Sequence, residues 1–405
     1  MRLPRWLNAA LLVLGLLPAT RLARADHFTL QEAVRRARQR SPAAVDARGS
    51  LASATALGAG ARVSVFGNPT LEVTGETGRA TKDVNVISSL YLPVDIGGQR
   101  GARISEWQNL VEWQGSLEAR VHAEVTAATA SAYGGVLVAR ARLEQASRAA
   151  ADARSEAEAY IARLAVGDAT AFDMSVVDSE AARYRQLEVA ASASLAQAFA
   201  ALAELVGSEP VAELPADVGP PRLPEGLRVE DWVDRGPASA ALGKESRYWD
   251  AVRERAETER TAPLVFIATG GRGDYGEARL GGGLGWSFPV FRRNQGDIAH
   301  AEAERTRTRQ VGVALRGALI ERARGALAAY RGITLGIEEL DRTGIPAAER
   351  AERAVSEAQR VGKVEMIRVL IARRDLAAAR ARRLDLVEVA WSAYAELAAI
   401  RGELP

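Results

Sequence analysis

At 405 residues the chain is long enough for two or three ordinary domains, and its 53 basic and 51 acidic residues nearly cancel. That balance, with no basic stripe interleaved with aromatics, excludes a nucleic-acid binder. The absence of cysteine excludes disulfides and thiolate metal sites.

In chain order, Arg2 and Arg5 form a basic start, Leu7 to Leu17 a short apolar run, and Ala23-Arg24-Ala25 a small-residue cleavage pattern. The run is shorter than the roughly 20 residues a bilayer span needs. Residues 1–25 therefore read as a signal peptide, with a mature chain starting at Asp26. Phe28 to Arg40 reads as a helix capped by Thr29, with Glu32 completing a capping box. Ser41-Pro42 interrupts it, and Ala43 to about Val65 resumes. Thr70 to Glu76 and Val84 to Val94 alternate with the period of strands, giving a hairpin at about 70–94. Arg103 to Leu164 carries no proline and reads as one long helix. Val166-Gly167-Asp168 breaks it, and Ala171 to Val206 runs back. Leu187, Ala191, Leu195, Phe199 and Leu202 recur on one face of that second helix.

Residues 207–226 hold five prolines and read as a linker between a first repeat, 26–206, and a second, 227–405. Trp232 to Arg260 is helical, with a break at Gly236-Pro237. Leu264 to Gly270 and Leu280 to Val290 form a second hairpin, about 264–290. Leu280, Gly282, Leu284, Trp286, Phe288 and Val290 make its apolar face; Arg279, Gly281, Gly283, Gly285 and Ser287 make the other. That division suits a strand between lipid and a watery lumen. Pro289 ends the ladder, because it has no N–H to donate. Asp297 to Glu357 is helical with a kink at Gly344 and Pro346. Val361-Gly362-Lys363 turns, and Val364 to Arg401 runs back with Leu384, Val387, Trp391 and Tyr394 as an apolar seam. Pro93 and Pro289, Tyr133 and Tyr330, and Gly167 and Gly362 are separated by nearly the same offset, as an internal duplication requires. Beyond the leader, no segment reads as apolar enough for a membrane-spanning helix, so a span requires strands closed into a barrel.

The glycines at 281, 282, 283 and 285 lie inside a strand, without the spacing of a nucleotide loop. His27, His122 and His300 are isolated, the three methionines form no cluster, and no Ser/His/Asp arrangement occurs. No cofactor, metal site or catalytic constellation is expected, and the chain reads as a non-enzyme.

Together the repeated helix–hairpin–helix plan, the FTLQEAVRRARQRSP opening, the LPVDIGGQR and FPVFRRNQG joins and the two glycine turns resemble the TolC-type outer-membrane efflux channels. The resemblance covers nearly all of the mature chain. It implies a mostly α-helical protomer with a small membrane β-barrel. Three copies would form a helical periplasmic tunnel and a 12-stranded barrel in outer-membrane lipid. It also implies a passive duct working with a periplasmic adaptor and an inner-membrane RND-type pump. The compact length and the PVFRRNQGDIAHAEAE join look most like the heavy-metal-cation branch, of the cobalt–zinc–cadmium type. A drug-efflux or type I secretion channel is the alternative within the family. A periplasmic coiled-coil adaptor, which needs no β-hairpins, is the alternative outside it.

The resemblance makes the two glycine turns a candidate periplasmic gate, built by Gly167, Asp173, Gly362, Arg368 and Ile371. Here the chain departs from the family. Acidic residues stand six and nine positions after the second glycine in familiar members, where Arg368 and Ile371 stand here. The family's gate tyrosine and arginine are replaced by Gln359 and Val364. Asp173 and Arg368, each six residues past its glycine, are expected to meet as opposite charges if the tips pack side by side. As bare helix caps, the same turns would need no gate at all.

Overall fold

The computed structural model describes residues 28–64, 66–77, 84–167, 169–207, 214–272 and 277–405. The expected leader, His27, the 78–83 turn and part of the linker lie outside them. Helix α1 spans Leu30–Arg40, and the Glu32 N–H donates to Thr29 Oγ1 at 3.2 Å, as a capped start requires. The expected capping box is only half made. The Glu32 carboxylate turns outward to Arg35 and Arg36 instead of back to Thr29. Those two guanidinium groups hold its pKa down at about 2. Helix α2, Pro42–Ala56, starts on the Ser41 side chain. It ends earlier than its alanine content suggests, and α3, Gly58–Ala61, is a single turn. The Trp107 ring lies so close over Gly58 that an added Cβ would fall 2.5 Å from it.

Strands β1, Thr70–Thr77, and β2, Val84–Val94, form the first hairpin; β3, Leu264–Arg272, and β4, Ala278–Trp286, form the second. They make one antiparallel sheet in the order β1-β2-β3-β4. Strand β4 stops at Trp286, ahead of Pro289, so Phe288 and Val290 are not strand residues as expected. The cause lies on the partner strand. Trp286 pairs with Leu264, the first residue of β3, and Pro263 before it cannot extend the ladder. Phe288 instead packs edge-on against Trp286, with centroids 4.5 Å apart.

The helices dwarf the sheet. Helix α4, Gln99–Ala165, has 67 residues, a length of about 100 Å. Helix α5, Ala171–Val206, returns along it. Then follow α6, Val229–Arg235, and α7, Pro237–Thr258. Helix α8, Gln295–Glu339, passes through a π-turn at Leu340–Gly344 into α9, Ile345–Arg360, and α10, Met366–Arg401, returns. The π-turn is the kink expected at Gly344 and Pro346. Helix α5 corrects one expectation, because by length and composition it is apolar enough to cross a membrane. Its apolarity is largely alanine, and it lies along α4 from the tip upward.

The core gathers where α1, α4, α5 and α10 converge. Leu384, Val387, Trp391 and Tyr394 are all buried there, as the seam predicted. Tyr133 Oη donates to Phe28 O at 2.7 Å, and Tyr330 Oη, its counterpart in the second repeat, donates to Pro221 O at 2.7 Å. Each tyrosine thus ties a connecting segment to a long helix. On α5 Leu195, Phe199 and Leu202 pack on the core as expected, and the stripe continues through Val177, Ala181 and Tyr184; Leu187, expected on it, is exposed.

Candidate functional site

The sheet has two faces of different chemistry. Register places Leu71, Val73, Val86, Leu90, Phe266, Leu280 and Leu284 on one face. Those side chains are exposed, Leu280 at 91 %, so within one copy this apolar face has no protein cover. Thr70, Glu72, Thr74, Asn85, Ser89, Thr269 and Arg279 lie on the opposite face. Tyr91 Oη donates to Glu72 Oε2 at 3.0 Å there. One apolar face, and a second that is mainly polar apart from Ile87, Val265 and Ile267, on strands of 8 to 11 residues suit the lipid and lumen sides of a membrane barrel. Trp286 and Phe288 sit at the helix-side end of the apolar face, where aromatic girdles lie. Gly281 and Gly283 face the polar side within β4, as a strand reading of the glycine run requires.

Each hairpin feeds a helix through the same joint. Gly98 (φ 81°) and Asn294 (φ 52°), at equivalent places in the two repeats, are both left-handed. Gly97 N–H donates to Gln99 Oε1 at 2.7 Å, and Arg293 N–H donates to Gln295 Oε1 at 2.7 Å. Both joints are fastened to the end of α7. Gln99 Nε2 donates to Thr261 O at 2.6 Å and Asn294 Nδ2 donates to Ala256 O at 3.1 Å.

At the opposite ends of the helices lie the two glycine turns. Gly167 (φ 81°) and Gly362 (φ 72°) both occupy the left-handed region that lets a helix end. Lys363 N–H donates to Ala358 O at 2.9 Å and Gly362 N–H to Gln359 O at 3.0 Å, the paired bonds of a Schellman cap. The helices that follow start differently. Thr170 and Asp173 form a reciprocal capping box: Asp173 N–H donates to Thr170 Oγ1 at 3.1 Å, and Thr170 N–H donates to Asp173 Oδ2 at 3.0 Å. Hydrogen bonds from the Thr170 side chain and backbone lower the Asp173 pKa. Helix α10 has no side-chain cap, and it carries Arg368 in its first turn, where a helix dipole disfavours a cation.

Within one copy, Asp173 and Arg368 do not pair. The Asp173 carboxylate is engaged by Thr170, and Arg368 has no ion pair among the described residues. Asp173 thus has a structural task inside its own copy. Ile371 is exposed, as are Val166, Phe172, Val361 and Ile367, so the tips present apolar side chains outward.

Sequence reasoning missed a belt of charges about three turns above the tips. Glu180 on α5, 4 % exposed, accepts from Arg374 Nε at 2.6 Å and from Arg183 Nη1 at 3.1 Å. Arg373 on α10 pairs with Glu156 on α4 and reaches Glu352 on α9 at 3.5 Å. Burial disfavours the Arg373 charge, but Glu156 and Glu352 outweigh it and raise the pKa. Gln359 Nε2 donates to Tyr160 Oη at 3.3 Å. The belt therefore ties all four tip helices together. An adjacent Arg373-Arg374 pair was its only sequence signal.

The described residues contain no group of acids and histidines able to hold a metal ion. His122 lies 3.9 Å from Glu118, and burial lowers its pKa. His300 stands edge-on to Trp249.

Residues 21–208 match the family described as Outer membrane efflux protein. The cobalt-zinc-cadmium resistance protein CzcC of Cupriavidus metallidurans is 29% identical over 353 residues, covering 84% of this chain and 82% of that protein. The first half of the chain thus matches that family, and most of the chain is similar to this resistance protein. Solved outer-membrane proteins share the fold. The outer membrane protein VceC of Vibrio cholerae superposes with a TM-score of 0.73 at 18% identity, covering 93% of this chain and 97% of that one. The CmeC outer membrane channel of Campylobacter jejuni gives 0.75 at 14% identity, covering 93% and 86%. The chain thus has the fold of these outer-membrane channels.

Proposed function

We propose that three copies of the chain form the passive exit duct of a tripartite system that exports heavy-metal cations. One observation carries the assembly: among the described residues the sheet has four strands, and both β1 and β4 have an open edge. Unpaired N–H and C=O groups in hydrocarbon cost several kcal/mol each. About eight strands is the smallest usual closed barrel. Three copies would supply 12 strands and close every edge. Residues 1–25 serve as a cleaved leader, 26–206 and 227–405 as the duplicated repeats, and 207–226 as their linker. A periplasmic adaptor would join the helical end to an inner-membrane RND-type pump, which supplies the energy.

The similarity to a cobalt-zinc-cadmium resistance protein favours metal cations over drugs or secreted proteins as cargo. A duct conducts its cargo without holding it, so a ligand cluster is not required. Gly167, Asp173, Gly362, Arg368 and Ile371 form the periplasmic gate in this reading. Arg368 is free to reach a neighbouring copy, since it has no ion pair among the described residues of its own.

The test has two measurements. The mass of the detergent-extracted protein should be that of a trimer, and a stable monomer would refute the assembly. Deleting the gene should sensitise cells to cobalt, zinc or cadmium, with plasmid rescue. Sensitivity to drugs alone would replace metal export with drug efflux.

A further inference from the structure

The two strand-to-helix joints share a geometry and differ in their side chains. With Pro93 matched to Pro289 and Gln99 to Gln295, the first joint carries Asp95, Ile96 and Gly97 where the second carries Phe291, Arg292 and Arg293. Both joints make the same glutamine bond and the same left-handed turn. The turn itself therefore requires neither the ring nor the two guanidinium groups. In the first joint the charge is satisfied internally, because Asp95 accepts from Arg103 Nη2 at 2.8 Å. In the second, Phe291 is 89 % exposed, and Arg292 is exposed with no partner among the described residues.

The sheet shows at what depth these side chains stand. One row crosses the helix-side end of its apolar face: Phe66 lies opposite Val94, Val94 opposite Leu264, and Leu264 opposite Trp286. Phe66 and Trp286, at the two ends of the row, are exposed aromatics. Phe288, packed on the Trp286 ring, continues this face past the last strand residue. The 9 residues of β4 are enough for a tilted strand to cross the hydrocarbon core. The aromatic row then marks one boundary of the core, and the segment from Phe288 to Arg293 falls at headgroup depth.

The charge at that depth is basic, residue by residue. Arg293 holds the turn, its Nε donating to Pro289 O at 3.1 Å. Arg260 is exposed about one turn past Ala256, whose carbonyl Asn294 grips. Glu259, beside Arg260, is drawn to Arg255 at 3.5 Å. Asp297 is the one acid in residues 287–297. An exposed guanidinium next to an exposed ring at headgroup depth suits a phosphodiester that carries acyl chains. The planar fork takes phosphate oxygens in pairs, and the ring enters the acyl boundary. A headgroup with its own ammonium would find only Asp297, so the excess positive charge favours an anionic lipid.

We propose that Phe291 and Arg292 form a binding site for an anionic phospholipid in the helix-side leaflet, with the ring in the acyl boundary and the guanidinium on the phosphodiester. This rests on the reading of the sheet as part of a membrane barrel. It adds a lipid chemistry that the second joint has and the first lacks.

Full-length protein in a neutral detergent is titrated with phosphatidylglycerol or phosphatidylcholine, and bound lipid is counted by native mass spectrometry. Wild type should retain phosphatidylglycerol in preference. Arg292→Gln should lower that preference by about fivefold, the effect of one arginine at an anionic surface. Ile96→Ala, at the matching place in the first joint, should leave it unchanged, and excess inorganic phosphate should not displace the lipid. Because the native chain has no cysteine, Phe291→Cys can carry a single nitroxide. In mixed vesicles of the two lipids, oxygen should reach that nitroxide more readily than a water-soluble nickel chelate does. Equal retention of the two lipids, an unchanged preference in Arg292→Gln, an equal loss in Ile96→Ala, or displacement by phosphate overturns the lipid site. A nitroxide reached mainly by the chelate, or by neither probe, places Phe291 in water or against protein and overturns the site as well. Protein that inserts into the vesicles and gives any of these results leaves the barrel reading standing. Protein that does not insert overturns the barrel reading and the site with it.

Discussion

Replacing Arg374 by alanine tests whether the charge belt restrains the tips. In the wild type, Arg374 Nε and Nη2 lie 2.6 and 2.5 Å from Glu180 Oε1, and the carboxylate is almost fully buried. Breaking a fully buried pair by removing one partner costs about 3–5 kcal/mol. An exposed pair is worth only about 0–1 kcal/mol. This case lies between them. The Arg374 side chain is 52 % exposed, and Arg183 stays in place at 3.1 and 3.2 Å. A loss of about 1–2 kcal/mol per copy follows. If the pair is made only in the closed state and three copies yield together, that state loses about 3–6 kcal/mol, or two to four powers of ten in the open-to-closed ratio. Single-channel recording in planar bilayers should therefore show a strong rise in open fraction for Arg374→Ala. The variant should also melt at a lower temperature than Glu180→Ala, which leaves no buried charge stranded. In a double-mutant cycle the pair should be strongly non-additive, the double resembling Glu180→Ala. Unchanged conductance and melting in Arg374→Ala, or strictly additive effects, would refute the reasoning.

Gly134→Ala should lower the melting temperature despite the helix propensity of alanine. The propensity gain is about 1 kcal/mol, but the new Cβ would lie 2.3 Å from Trp391 Cγ. Trp391 cannot easily give way, since its Nε1 donates to Val218 O at 2.8 Å; overpacking of this kind costs about 1–3 kcal/mol. Arg368→Ala should raise the open fraction in bilayers without loosening the start of α10, because that arginine has no ion pair in its own copy; wild-type conductance in both Arg368→Ala and Asp173→Ala would remove these residues from the gate. Intact mass of the membrane-extracted protein should correspond to a chain beginning at Asp26, and retention of Met1 would contradict the leader.

The hairpins and joints were legible because period-two alternation and proline positions are local properties. The seam of Leu384, Val387, Trp391 and Tyr394 was legible for the same reason, since a helix repeats its own face. What escaped depends on partners distant in the chain. The end of β4 is set by Pro263 on the neighbouring strand. The packing stripe of α5 shifts off Leu187 because α4 fixes which side it faces. The fate of the Glu32 carboxylate depends on two arginines that compete with the cap. The residues proposed for a gate stand out in the sequence only as two glycines with equivalent followers. That Thr170 occupies Asp173 follows from the capping geometry, yet the belt of Glu156, Glu180, Glu352, Arg373 and Arg374 joins four helices, and the adjacent Arg373-Arg374 pair is all that any one of them shows of it.

The clamped joints at Gly98 and Asn294 give the long helices a mechanical character. Helix α4 leaves its joint and runs about 100 Å to the tip. Over that arm a swing of one degree displaces the far end by about 1.7 Å. Hydrogen-bond lengths tolerate only about 0.5 Å. A tilt of well under a degree at the membrane end is therefore enough to break a contact at the other. The wall works as an angular amplifier, and side chains near its far end register rotations too small to disturb anything beside the fulcrum.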